Sequence, residues 1–141
     1  MASLICRAIS VAVLVAVSCP AFDAKGESNQ PTALEIAQLP KFCWAGLQVP
    51  NATGDEFRIR DCGPFVNHYC FGLLRLIRAK AGVGNKRARM DHLSQAANDI
   101  GYTQNGIQNY PRCSISEHVA AAKAEVLNLQ KIYGGQPSGA K

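Results

Sequence analysis

Four of the six cysteines of this 141-residue chain, Cys43, Cys62, Cys70 and Cys113, stand beyond residue 21, after its signal-like N-terminus. Residues 8–17 (AISVAVLVAV) are almost wholly apolar, Arg7 and no acidic residue precede them, and the small residues Ser18, Cys19 and Ala21 follow. That order is a secretory signal, and its apolar run is shorter than the roughly 20 residues a permanent membrane span requires. An exported chain meets an oxidising compartment, where cysteines close in pairs. Two disulfides must therefore fit within a single modest core built from the remaining chain, which excludes a multidomain enzyme. With 48% hydrophobic and 18% charged residues the chain has the balance of a folded globule and not of a disordered one.

Four cysteines allow three connectivities. The placement of the predicted elements favours Cys43–Cys62, stapling an irregular segment, and Cys70–Cys113, tying a helix to a later turn. A zinc site using Cys62, His68 and Cys70 with Cys43 or Cys113 is disfavoured, because the compartment favours disulfides and no Cys-x-x-Cys pair exists. The haem-attachment motif Cys-x-x-Cys-His is missing too, so neither metal nor other cofactor is expected. Cleavage is expected after Ala21, giving a periplasmic or secreted protein. The alternative is a lipobox at Val15-Ala16-Val17-Ser18-Cys19, with Cys19 acylated as a membrane anchor. The chain then divides into a signal peptide (1–21), a polar tether and short helix (22–40), a disulfide-stabilised helical domain (41–135) and a frayed tail (136–141).

The fold class expected is all-α. Thr32-Ala33-Leu34-Glu35 is a capping box opening a short helix that Pro40 ends. Residues 41–61 read as irregular, with turn chemistry at residues 50–55 and an alternating, extended piece at Phe57-Arg58-Ile59-Arg60. Three antiparallel helices follow. The first starts at Pro64, carries Phe65, Tyr69, Leu73, Leu76 and Ile77 at helical spacing, and stops at Gly82 and Gly84. The second runs from about Asn85 to Asn109 with Leu93, Ala96, Ala97, Ile100 and Ile107 inward. The third opens on a second capping box, Ser114-Ile115-Ser116-Glu117, and continues through Val119, Ala122, Val126, Leu129 and Tyr133 to Gly134.

Charge is uneven along this pattern. Losing Arg7 with the signal leaves 14 of the 15 basic residues against 10 acidic ones, yet no acid falls between Cys62 and Met90. That stretch holds Arg75, Arg78, Lys80, Lys86, Arg87 and Arg89. Arg75, Arg78 and Lys80 complement the dipole at a helix C-terminus, whereas Lys86, Arg87 and Arg89 begin a helix, where cations oppose it. Arg75, Arg78, Lys86, Arg87 and Arg89 are accordingly the candidate partner-binding residues. The partner is expected to be an envelope or secreted protein with an acidic surface, or an anionic lipid surface. Nucleic acid is not expected, since the patch lacks interleaved aromatics.

Tyr69-Cys70-Phe71-Gly72-Leu73-Leu74 places a small residue where a partner helix can approach, and Ala96-Ala97-Asn98-Asp99-Ile100-Gly101-Tyr102 runs on to Pro111. This pair resembles one degenerate tetratricopeptide repeat with a third helix as its cap. Cys62-Gly63-x-x-x-Asn67-His68-x-Cys70 and Tyr110-Pro111-x-Cys113 are similar to motifs of small exported bacterial proteins of tetratricopeptide-like character. Over residues 60–133 the resemblance implies a non-catalytic binding or assembly role. It departs from a repeat at Ala79–Asn85, a longer turn, and one repeat makes no concave groove.

The alternative is a small secreted hydrolase, ribonuclease- or phospholipase-like, using His68 with His92 or His118 as an acid–base pair. Asn67-His68-Tyr69-Cys70 is similar to the histidine-bearing helix of secreted phospholipases. Tyr69, however, stands where that chemistry needs an aspartate, and no Gly-rich calcium loop precedes it. A Gly-x-Ser-x-Gly elbow is absent.

Overall fold

The computed structural model describes residues 30–134. The signal peptide, Cys6, Cys19, most of the tether and the tail at 136–141 lie outside the described residues. Helix α1 (Ala33–Gln38) opens on the expected box. The Thr32 hydroxyl accepts the Glu35 N–H at 3.2 Å, and the Glu35 carboxylate accepts the Thr32 N–H at 2.7 Å. Pro40 turns the chain, and a second short helix, α2 (Phe42–Gly46), forms where the sequence reads as irregular. It has no side-chain cap, so its stability comes from packing: Cys43 is fully buried and the Trp44 Nε1–H donates to the Leu39 carbonyl at 3.3 Å. Phe42 and Trp44 are half-buried covers over the helices.

Residues 47–62 are irregular apart from a 3-10 turn at Asp55–Phe57. The extended piece expected at 57–60 forms no strand, and no strand occurs among the described residues. Its hydrogen bonds go instead to a distant residue: the Arg60 N–H donates to Ser114 Oγ at 2.9 Å and the Ser114 N–H to the Arg60 carbonyl at 3.1 Å. The second capping box is thereby displaced, with the Ser114 hydroxyl engaged by Arg60 and the helix beginning two residues later.

Gly63–His68 is 3-10 and runs straight into α3 (Tyr69–Ala81), so the helix expected from Pro64 is tighter in its opening turns. Gly63 has φ of 65°, and a Cβ there would lie 2.4 Å from the Tyr110 ring. Helix α3 ends in a Schellman motif: Gly82 adopts φ of 70°, its N–H donates to Ala79, and the Val83 N–H donates to Arg78. Asn85 then caps α4 (Lys86–Gly106) by accepting the Ala88 N–H at 3.0 Å. One 3-10 turn (Ile107–Asn109) extends α4 to the expected boundary, and α5 (Ser116–Gly134) follows.

Helix α4 is the centre of the domain, with α3 and α5 both antiparallel to it. On the α3 side Gly72 meets Ile100, where a Cβ would come within 2.9 Å of Cγ1, so the close approach expected there is present. On the α5 side Lys123 Nζ donates to the Ala97 carbonyl at 3.3 Å and Gln130 Nε2 to the Leu93 carbonyl at 3.4 Å. Tyr69, Leu76, Leu93, Ala96, Ile100, Ile107, Ile115, Val119, Ala122 and Val126 form the core. Phe65, Leu73, Ile77, Ala97, Leu129 and Tyr133, also expected inward, are half-buried around it.

The disulfides pair differently from the expectation. They are Cys43–Cys70, with 5.4 Å between Cα atoms, and Cys62–Cys113, with 4.4 Å. The cause is tertiary: α2 lies against the start of α3, bringing Cys43 to Cys70, and the Arg60–Ser114 bonds draw Cys62 to Cys113. In the chain-entropy account, closing loops of 27 and 51 residues contributes about 3.5 and about 4 kcal/mol respectively.

Helix α1 is tied to α3 by an inner ion pair, Arg78 Nε to Glu35 Oε1 at 2.7 Å, with only 8% and 14% of the two side chains exposed. The guanidinium beside Glu35 holds its carboxyl below the ordinary value of 4.5; the Thr32 bonds act in the same direction, while burial opposes them. A carboxyl lowered in the folded state contributes stability that is complete above its unfolded value and is lost as pH falls through the folded one. Glu35→Gln is therefore expected to cost on the order of 2 kcal/mol at neutral pH. In urea unfolding, the gap between wild type and variant should narrow steadily as pH falls below 4.5.

Candidate functional site

The hairpin turn between α3 and α4 gathers three helix ends. Ala81 ends α3, Lys86 begins α4, and Gly134 ends α5 against Met90. Around this end the five cations singled out from the sequence separate into two groups. Arg75 faces α4, with Nε 3.4 Å from Asp99 Oδ2 and a hydrogen bond to the Gln95 side-chain oxygen. Arg78 is buried in the Glu35 pair and also donates to the Gln30 carbonyl at 3.2 Å. The Arg89 guanidinium lies 4.6 Å above the Tyr133 ring, joining the start of α4 to the end of α5. It also fills the space beside Gly82, where a Cβ would come within 2.6 Å of its terminal nitrogen. These three arginines hold the fold together.

Lys86 and Arg87 are exposed in the first turn of α4, which contains no acid. Arg87 forms no ion pair among the described residues. The other two helix ends gathered here carry Lys131, in the last turn of α5, and Lys80, in the last turn of α3, which is half-exposed and paired to Glu125 at 2.8 Å. Lys131 is 44 positions from Arg87 and comes to the same end of the bundle because α5 returns antiparallel to α4. Its sequence signal, a basic residue in a closing helical turn, reads as dipole complementation alone. Asp91, one turn into α4, and Glu125 are the acids nearest this surface by position.

The three histidines lie apart in their surroundings. His68 Nδ1 is 3.4 Å from Asp99 Oδ1, and its ring meets Tyr102 edge-on at 4.9 Å. With Phe71, Leu74, Arg75, Arg78 and Asp99 it lines a cavity of about 410 Å³. His118 packs edge-on against Phe42 at 5.5 Å and lines a different cavity, between α3 and α5. His92 is 6% exposed within α4. No group of three His, Cys, Asp or Glu side chains among the described residues is placed to hold a metal. Burial raises the Tyr69 phenol well above its ordinary range, so it stays protonated in the core. All four cysteines of the domain are in disulfides, which leaves none of them as a thiol.

The chain matches no protein-family model, no curated protein and no solved structure, so the reading of this surface rests on its own residues.

The division between packed and exposed cations has a direct consequence for stability. Arg78→Ala strands the Glu35 carboxylate and is expected to lower the free energy of unfolding by on the order of 3 kcal/mol. Arg87→Ala is expected to change it by no more than about 0.5 kcal/mol. Urea unfolding monitored at Trp44 measures both.

Proposed function

We propose that this chain is an exported, non-catalytic helical binding module that attaches to an anionic envelope component through the end of the bundle at the α3–α4 turn. The observation that carries the reading is the first turn of α4: Lys86 and Arg87 are exposed there, and Arg87 has no ion-pair partner among the described residues. Cations at a helix N-terminus oppose its dipole by roughly 0.3–1 kcal/mol each, so dipole complementation does not account for them. Export is supported by the two disulfides and by the signal-like N-terminus, whether the chain is cut after Ala21 or acylated at Cys19.

The resemblance to tetratricopeptide-like exported proteins is part of this reading. A helical hairpin crossing closely at Gly72 and capped by α5 supports it. A single hairpin offers no concave groove, which shifts binding to the hairpin's end. The hydrolase alternative needs two imidazoles in one pocket, and His68 and His118 line separate cavities while His92 is buried.

In-cell crosslinking followed by affinity capture tests the reading. The wild-type chain is expected to retain a defined envelope component, and the double variant Lys86→Glu with Arg87→Glu to lose at least nine-tenths of it while keeping the wild-type circular dichroism. Equal capture by the two chains overturns the proposal.

A further inference from the structure

The cations at the α3–α4 end do not stand alone. The Schellman motif that closes α3 turns Val83 outward, leaving it 41% exposed between Lys80 and Lys86. Leu34, on α1, is 73% exposed, the most exposed large apolar side chain in the described structure. The two residues line one shallow depression of about 360 Å³ together with Ile77 and Ala81. The Arg78–Glu35 pair lines the same depression, and Lys80, Lys86 and Arg87 flank Val83 in sequence, so the aliphatic side chains and the cations make an amphipathic tip that matches the boundary between headgroups and acyl chains. A docking site for a folded protein would instead concentrate aromatic anchors in a pocket, and no aromatic residue lines this depression.

Arg78, in the last turn of α3, also reaches the Gln30 carbonyl at 3.2 Å beside this depression. The opposite end, where Arg60 is bonded to Ser114, carries Asp55, Glu56 and Asp61 balanced by Arg58, Arg60 and Arg112, with Arg60 paired to Asp55 at 2.7 Å. The acid-free first turn of α4 thus sets the α3–α4 end apart from it, and a negatively charged plane attracts such a cluster of cations before contact. Asp91 and Glu125 lie at the α3–α4 end, but Glu125 is occupied by Lys80.

We infer that the anionic component is the surface of a phospholipid bilayer, on which the domain stands on its α3–α4 end with Val83 and Leu34 in the interface and Lys86, Arg87 and Lys131 among the headgroups. The inference rests on the binding reading above and names its partner. Each such cation raises affinity for an anionic bilayer by about fivefold, and the attraction is screened by salt.

The test is co-sedimentation of the exported protein with vesicles of phosphatidylcholine alone and with vesicles that are one-third phosphatidylglycerol. Binding to the mixed vesicles is expected to be at least tenfold tighter and to weaken as salt is raised. The Lys86→Glu, Arg87→Glu variant should lose at least tenfold of it, and Val83→Asp should weaken it without altering the circular dichroism. Equal binding to both vesicle types, as an acyl chain on Cys19 alone would give, overturns the inference. So does an absence of binding, or binding that the charge reversals leave unchanged. If vesicles are not bound while the charge reversals still abolish capture of an envelope protein in cells, the bilayer is excluded and the binding module stands. If capture is also unaffected, both fall.

Discussion

The loops closed by Cys43–Cys70 and Cys62–Cys113 overlap along the chain, and the rest of the structure depends on that crossing. One bridge presses α2 onto the first turn of α3, and the other joins the segment before α3 to the segment before α5. Both lie toward the end of the bundle where α3 begins. Together they carry the irregular residues 47–62, which bury little and would gain too little from packing to offset their ordering entropy. Phe65 against Gly106 and Tyr110 against Gly63 fill the remaining space there, at distances that admit no side chain on either glycine. The covalent restraint is therefore concentrated at one end, and the other end is left to noncovalent contacts.

That other end is held by charge and by helix termini. Glu35 serves α1 twice, closing its capping box and receiving Arg78 from α3. Arg89 performs the comparable task for α4 and α5 through the Tyr133 ring. Arginine suits both roles because its planar group hydrogen-bonds and stacks without losing its charge. Lys80, Lys86 and Arg87 keep their charged groups exposed at the surface. The cations of the acid-free stretch thus follow two logics: Arg75, Arg78 and Arg89 are taken up by contacts within the fold, and Lys80, Lys86 and Arg87 are exposed.

The three long helices were legible because each pairs an apolar spacing with clear ends: Gly82 after α3, Asn85 before α4, Pro111 after it. The contact at Gly72 was legible for the same reason, since a glycine in a helix interior costs stability unless a neighbour needs the space. What escaped the sequence was long-range. Helix α2 is a single uncapped turn whose stability lies in the burial of Cys43, and the pairing of Cys62 depends on a hydrogen bond between residues 60 and 114. The same bond takes the Ser114 hydroxyl from the capping box that the local pattern suggests. Among the site residues, Arg78 looked like one of a row of free cations because its partner, Glu35, lies 43 positions away. Lys131 was missed because only the antiparallel return of α5 brings it to the α3–α4 turn.

The proposed binding role assigns the contact to the end that carries the exposed cations and not to the end that the disulfides staple. The most direct measurement is site-specific photocrosslinking in intact cells, with the reactive group placed in turn at Val83, at Arg87 and, on the opposite end, at Arg112. The account predicts crosslinks to an envelope component from positions 83 and 87 and none from 112. Crosslinks from 112 with none from the α3–α4 end would contradict it.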